Sequence, residues 1–430
     1  MMPERETPTI PPNTLPMELG AIVGAEHVRP AAPDDSIDGV QPRYVVEPVS
    51  ADEVARVLRF GSYAGLRLAP RGGGTKLAWG NPPRAVDLVL STRRMGRVVE
   101  HAWGDMTATV EAGCTVVAMQ QVLAEHGQRL ALDPLWPERA TIGGILATND
   151  SGALRLRFGS LRDQIIGITV ALPDGTLAKS GGKVVKNVAG YDLPKLLTGS
   201  LGSLGVITEA IFRLYPRPRQ SRSLSFATPM PDSMNQLVLA ILDSSLTPSG
   251  LQIRVEAAGP LYVDVQFESV VAAALDAQAS QLLSLARGAE PIDAPPKVWR
   301  AREALWEGVE PALVCKLSVL PAQLGALLQS ITRVATPLRL GWRLVAYAVG
   351  LGWLRLEGPN EQALLAALGV LRPELEAQDG SLAALWAPPE VKSRIDVWAA
   401  SGDALPLMCR VKEQFDPRGT LNPGRFVGGI

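Results

Sequence analysis

The segment PRGGGTK, from Pro70 to Lys76, places an arginine, three consecutive glycines, a threonine and a lysine side by side. Glycine has no Cβ and tolerates φ > 0, so three in a row let a ligand lie directly on the main chain. Successive backbone N–H groups with cationic side chains beside them make a concave anion site, and phosphate suits it. Two common phosphate signatures do not explain the segment. Lys76 follows a threonine and precedes Leu77, and Gly182-Lys183 is followed by valine, so no G-x-x-x-x-G-K-[ST] loop is present. Gly199, Gly202 and Gly205 depart from G-x-G-x-x-G and stand before a strand pattern, which disfavours an ordinary nicotinamide dinucleotide site.

The loop needs elements that hold it. YVVEPV reads as a strand, SADEVARVLRFGSYAG as a helix and LRLAP as a second strand, so the glycines begin where a β-α-β unit ends. Ser50 and Glu53 have capping-box spacing, and Val54, Val57, Leu58 and Phe60 supply the apolar face. AVDLVL, TATVEAG, a helix from about Thr115 to His126, and QRLALDP continue the alternation. The stretch from Thr141 to Asp163, with glycine at 143, 144, 152 and 159, reads as a long ordered loop. IIGITVAL and LAKSG flank PDGT and predict a hairpin, and GVITEAIFRLYPRP predicts a long closing strand. Beyond Arg219 two β-α-β-β-α sets follow, which predict one antiparallel sheet covered by helices. The fold class expected is α+β, with a flexible leader over 1–20, a first domain over 21–218, a cap over 219–404 and a C-terminal segment over 405–430 that returns to the first domain.

Composition narrows the partners. The 42 basic and 43 acidic residues nearly cancel, which argues against nucleic acid, and 47% hydrophobic residues can fill more than one core. Cys114, Cys315 and Cys409 lie far apart, so neither a disulfide framework nor a cysteine-bound metal is expected. The proline-rich, charged N-terminus lacks the apolar core of a signal peptide, and no later stretch approaches a spanning length, so a cytoplasmic protein is expected.

PRGGGTK, followed in order by Asp133-Pro134, TIGG (Thr141 to Gly144), NDSG (Asn149 to Gly152), FGSLRD, LPDG, GSLGVITEA and, in the tail, LNPGRF, resembles the FAD-binding domain of the vanillyl-alcohol oxidase and p-cresol methylhydroxylase superfamily. KNVAGYDLPKLLTGSLGSLGVITE is similar to its glycolate and D-lactate dehydrogenase branch, and the overall length is most similar to the FAD-binding subunits of bacterial glycolate oxidases. The resemblance implies a two-subdomain FAD-binding domain plus an α+β cap with an antiparallel sheet. It implies that Arg71, Gly72, Gly73, Gly74, Thr75 and Lys76 hold the pyrophosphate, with Asp133 and Pro134 nearby. Thr141, Ile142, Gly143, Gly144, Asn149, Ser151 and Gly152 would form a second surface along FAD. Gly205, Val206 and Ile207 would approach the adenine end, and Asn422 and Gly424 the flavin end. Relatives with covalent flavin carry a histidine where Thr75 stands, so non-covalent FAD is expected.

The same resemblance implies a small 2-hydroxy acid as substrate and a sister FAD-linked oxidase subunit and an iron–sulfur subunit as partners, so that any membrane association would be peripheral, on the inner membrane through them. Similar dehydrogenases use cap histidines and an acid to hold a metal and take the proton. Here His27, His101 and His126 all precede the cap, so no metal site is expected and the catalytic base is unassigned. Arg343 and Tyr347, evenly spaced on GWRLVAYA, share a strand face. They could meet a carboxylate and a hydroxyl, or sit on the sheet's outer or helix-covered face. A subunit that only carries electrons, and a stand-alone FAD-dependent alcohol oxidase, are the alternative functions.

Overall fold

The computed structural model describes residues 14–183, 190–256, 259–286, 289–295, 297–398 and 402–430. Chain packing divides these into two units: one comprises residues up to 150, 160–216 and the stretch from 400 onward, and the other comprises 151–159 and 217–399. Residues 184–189, which carry most of KNVAGYD, and residues 1–13 of the expected leader lie outside the described residues. The leader's end is ordered structure: Leu15–Val23 is a helix that buries Leu15, Leu19 and Val23.

The first unit contains a four-stranded sheet in the order Val28–Pro30, Tyr44–Val46, Leu88–Ser91, Leu68–Arg71, with the last three strands parallel. Helix Ala51–Tyr63 crosses between Tyr44–Val46 and Leu68–Arg71. The Ser50 side chain accepts from the Glu53 N–H at 3.2 Å, and Val54, Val57 and Leu58 are fully buried. Every residue of Leu88–Ser91 is buried, so sheet neighbours and layers on both faces fix this strand. A second, five-stranded antiparallel sheet runs Val98–Ala102, Thr107–Glu111, Val206–Arg213, Ile165–Ala171, Leu177–Gly181. Its hairpin closes by the Leu172 N–H donating to Thr176 O at 2.9 Å, and Gly175 takes φ 88° at the turn, where only glycine is unstrained.

Thr141 to Asp163 is not one loop. Thr141 caps helix Ile142–Thr148, and Arg155–Phe158 and Leu161–Gln164 are short helical turns. Gly143 and Gly144 weaken helix propensity there, but Ile142, Ile145 and Leu146 share one face and are wholly buried, and that burial outweighs the cost. QRLALDP keeps only Gln128–Arg129 as strand, paired with Tyr215–Pro216.

The second unit is one eight-stranded antiparallel sheet. Its order is Glu290–Asp293, Gln220–Thr228, Leu261–Ser269, Gly250–Glu256, Gly341–Tyr347, Leu351–Glu357, Ala312–Ser318, Ser381–Trp386. The two β-α-β-β-α sets join where Gly250–Glu256 pairs with Gly341–Tyr347, and the two edge strands are additions the periodicity did not foretell. Helices Pro231–Leu242, Ala272–Leu285, Leu324–Ala335 and Glu361–Glu376 share a single core with the sheet, which includes Leu344 and Ala346. Arg343, Val345 and Tyr347 alternate with those residues and therefore project from the opposite face.

Candidate FAD site

Strand Leu68–Arg71 ends at the glycine loop, and a groove of about 500 Å³ opens there, walled by Pro70 to Leu77, Thr141, Gly144, Ala147, Thr148, Leu201, Asn422 and Arg425. A second lobe of about 430 Å³ runs past Thr92, Gly143, Gly202, Gly205, Val206 and Ile207. The lobes share Pro70, Arg71, Gly72, Gly144, Ala147 and Leu201. A long ligand with an anionic centre fits this donor set: arginine and glycine backbone in the middle, a lobe toward each end.

The glycines are required by the protein's own packing. A Cβ on Gly73 would lie 1.8 Å from the Arg139 carbonyl oxygen, and one on Gly72 would lie 2.0 Å from the Thr141 hydroxyl. Of the three, only Gly74 needs its freedom of φ, at +74°, and a Cβ there would meet just Arg71 Cδ, at an ordinary contact distance of 3.8 Å. The glycine run thus lets loop 72–74 press against residues 139–141, and that contact forms one wall of the groove.

Two cations near the loop have different fates. The Arg71 guanidinium remains at the groove, its Nη1 donating to Asp35 Oδ1 at 2.7 Å. Asp35 is buried and also receives Arg29 through both Nη atoms, at 2.6 and 2.9 Å, and the Ala32 N–H at 2.8 Å. The Arg29 hydrogen bond, helped by that of Arg71, holds the Asp35 carboxyl far below the usual carboxylate range against the upward push of burial. Lys76, expected on the pyrophosphate, turns its ammonium to the buried Asp150 carboxylate at 3.1 Å and to Leu135 O at 3.3 Å. Its Nζ also lies 5.8 Å and 5.6 Å from the ring centroids of Trp79 and Trp136. Asp150 Oδ2 accepts the Leu135 N–H at 2.8 Å, so this ion pair ties the loop to the 135–136 segment.

The C-terminal tail completes the wall. The Leu68 N–H donates to Thr420 O at 2.8 Å, and the Asn422 N–H donates to Leu68 O at 3.0 Å. Asn422 Nδ2 donates to Leu201 O at 2.7 Å. Arg425, which sequence reasoning missed, is 2% exposed and donates to the carbonyls of Leu77 and Trp79. Burial pushes its guanidinium down to about 10, which leaves it charged at neutral pH. Nothing local in LNPGRF distinguishes Arg425 from an exposed arginine; the signal is its partners on a loop more than 340 positions away.

The remaining expected residues divide. Thr141, Gly143, Gly144, Gly205, Val206, Ile207 and Asn422 line the two lobes. Ile142 is core, Asn149 ends its helix in left-handed conformation, and Gly424 packs against Arg84. Asp133 and Pro134 stand just before the Leu135 segment and do not line either lobe. Ser151 and Gly152 open the 151–159 stretch of the second unit, where Ser151 O accepts from Arg302 Nη1 at 2.9 Å.

In the second unit, Arg343 bonds to Glu357 at 3.0 Å and to the Glu307 carbonyl, and Tyr347 is 2% exposed with its ring edge-on to Trp353. The fully buried Arg355 donates to Leu305 O, Val309 O and Glu357, so segment 298–310 covers this sheet face. Asp264, also fully buried, accepts from Ser225, Gln252 and Arg254. A cavity of about 740 Å³ beside Arg254, Tyr262, Leu305 and Arg343 remains, with both arginines already ion-paired.

Residues 42–181 match the family model described as FAD binding domain. This chain carries an FAD binding domain. Its cofactor is FAD, and its fold is α+β of the p-cresol methylhydroxylase type. The solved p-cresol methylhydroxylase with substrate bound superposes with TM-score 0.78 over 96% of each chain at 14% identity, and alkyldihydroxyacetonephosphate synthase with TM-score 0.73 over 98% of this chain and 86% of that one at 18%. Among curated proteins, the Glycolate oxidase subunit GlcD of Bacillus subtilis is 36% identical over 211 residues, 49% of this chain and 45% of its own length. The D-lactate dehydrogenase of Archaeoglobus fulgidus is 27% identical over 414 residues, 89% of this chain and 91% of its own. The chain therefore spans about half the length of the first relative and nearly all of the second. Among the described residues no helix is long and apolar enough to cross a membrane.

Proposed function

We propose that this chain is the FAD-binding subunit of an oxidoreductase that converts glycolate, or a similarly small 2-hydroxy acid, to the 2-oxo acid. The observation that carries the reading is the two-lobed groove around Arg71, in a chain 36% identical over 211 residues to a protein named as a glycolate oxidase subunit. Bound FAD supplies a two-electron acceptor for the hydrogen leaving the substrate's α-carbon. The residues 72–74 and 139–144 shape the cavity, Arg71 meets the diphosphate and Asn422 ties the tail to loop 201. Thr75, in the position that histidine takes in covalent flavoproteins, goes with a dissociable cofactor, and denaturation should release all the yellow colour from the chain. A sister FAD-linked subunit and an iron–sulfur subunit fit as partners that take the electrons onward, from a cytoplasmic location.

A second reading assigns substrate chemistry to the sister chain and leaves this one to relay electrons. It is favoured by the commitment of Arg343, Tyr347 and Arg355 to contacts within their own unit. Anaerobic addition of glycolate to the FAD-loaded chain, followed by the flavin's visible absorbance, separates the two. Bleaching by the isolated chain supports its own substrate site. Bleaching only after the sister subunit is added supports the relay, and none with both present refutes the 2-hydroxy acid proposal.

A further inference from the structure

Asp35 lies 36 positions before Arg71, in a short 3-10 turn that no cofactor motif touches. It is 4% exposed, and its two oxygens are filled by Arg29, Arg71 and the Ala32 N–H. The contact to Arg71 is made by Nη1 alone. Among the described residues the Nε and Nη2 groups of Arg71 donate to nothing, and the side chain lines both lobes of the groove at the place where they meet. A guanidinium is a planar fork, and its Nε–Nη2 edge presents two parallel N–H groups that match the oxygens of a phosphate.

We infer that Asp35 is a positioning residue for the cofactor: it holds Arg71 by Nη1 so that the Nε–Nη2 edge faces the FAD diphosphate. Arg29 shares the same carboxylate from the far side, with its side chain 47% exposed, and does not line the groove. Asp35 therefore stands between a solvent-facing cation and a cofactor-facing one. Two effects oppose each other in this arrangement. The carboxylate offsets part of the positive charge that attracts the diphosphate, but it also fixes a side chain that would otherwise sample many rotamers before making a bidentate contact. The buried, fully satisfied geometry makes orientation the larger effect, so removing the carboxylate weakens FAD binding.

The test is equilibrium titration of the full-length apoprotein with FAD, followed by flavin fluorescence, for Asp35→Asn, Arg71→Met and the double variant. Loss of one charge-assisted hydrogen bond corresponds to roughly a ten- to hundredfold weaker Kd for Asp35→Asn. Since Asp35 acts through Arg71, the double variant should bind no more weakly than Arg71→Met alone. If Asp35→Asn weakens binding by its full factor in the Arg71→Met background, Asp35 serves the fold and not the arginine, and the inference fails. It fails equally if Asp35→Asn binds FAD as tightly as the parent or tighter, since charge offset then exceeds orientation. Should Asp35→Asn not fold, Arg71→Lys decides: lysine keeps the charge but has no fork to serve carboxylate and phosphate together, so it should lose affinity nearly as Arg71→Met does. Parental affinity in Arg71→Lys would overturn the assignment.

Discussion

Gly73→Ala is the most direct probe of how the groove is built. The added Cβ would stand 1.8 Å from the Arg139 carbonyl oxygen and 2.9 Å from its carbon. Real Cβ contacts this short do not occur, so the loop or residues 139–141 must move by more than about 1 Å, in an interior that resists such shifts. Overpacking of this kind costs typically about 1–3 kcal/mol, and a collision between two main-chain segments belongs at the upper end. If the displaced loop cannot bind, the apparent Kd rises by the inverse of the competent fraction, so about 3 kcal/mol corresponds to roughly 150-fold weaker FAD binding. Gly74→Ala provides the contrast. Its Cβ meets nothing nearer than Arg71 Cδ at 3.8 Å, and the cost is the left-handed backbone alone, about 1–2 kcal/mol. FAD titration of both variants, with thermal unfolding of the apoproteins, ranks them. Affinity within twofold of the parent in Gly73→Ala, or a larger loss in Gly74→Ala, would refute the packing account of the glycine run.

Lys76→Met leaves the Asp150 carboxylate buried without its cation and should destabilise the first unit by about 3–5 kcal/mol, while Lys76→Met/Asp150→Asn recovers part of that loss. Denaturant unfolding of the singles and the double checks it, and simple additivity would sink the ion-pair reading. Thiol titration of the folded protein should find only Cys409 reactive. Cys114 is buried with its thiol pushed up, Cys315 is pushed by burial up to about 12, and Cys409 is half-exposed. Rapid reaction of a second thiol before unfolding would contradict the burial of one of the other two.

The sequence by itself determined the local frame. Ser50 and the spacing of Val54, Val57 and Leu58 gave helix Ala51–Tyr63. Asp174-Gly175 gave the hairpin, and strand alternation in the cap gave a sheet with Arg343 and Tyr347 on one side. These are short-range effects, in which neighbouring residues decide backbone angle and facing. Helix Ile142–Thr148 escaped the reading because its glycines hide a three-residue apolar face that only burial makes decisive. The site's electrostatics were decided by the tertiary structure. PRGGGTK announces a cation at each end, yet Asp35 keeps Arg71 at the groove and Asp150 draws Lys76 into the interior. Arg425 joins the wall from the far end of the chain, and Tyr347 is spent against Trp353. Long side chains have many rotamers, and their direction is chosen by whichever opposite charge or carbonyl the fold brings within about 3 Å. That partner can lie hundreds of positions away in the sequence, where no local pattern records it.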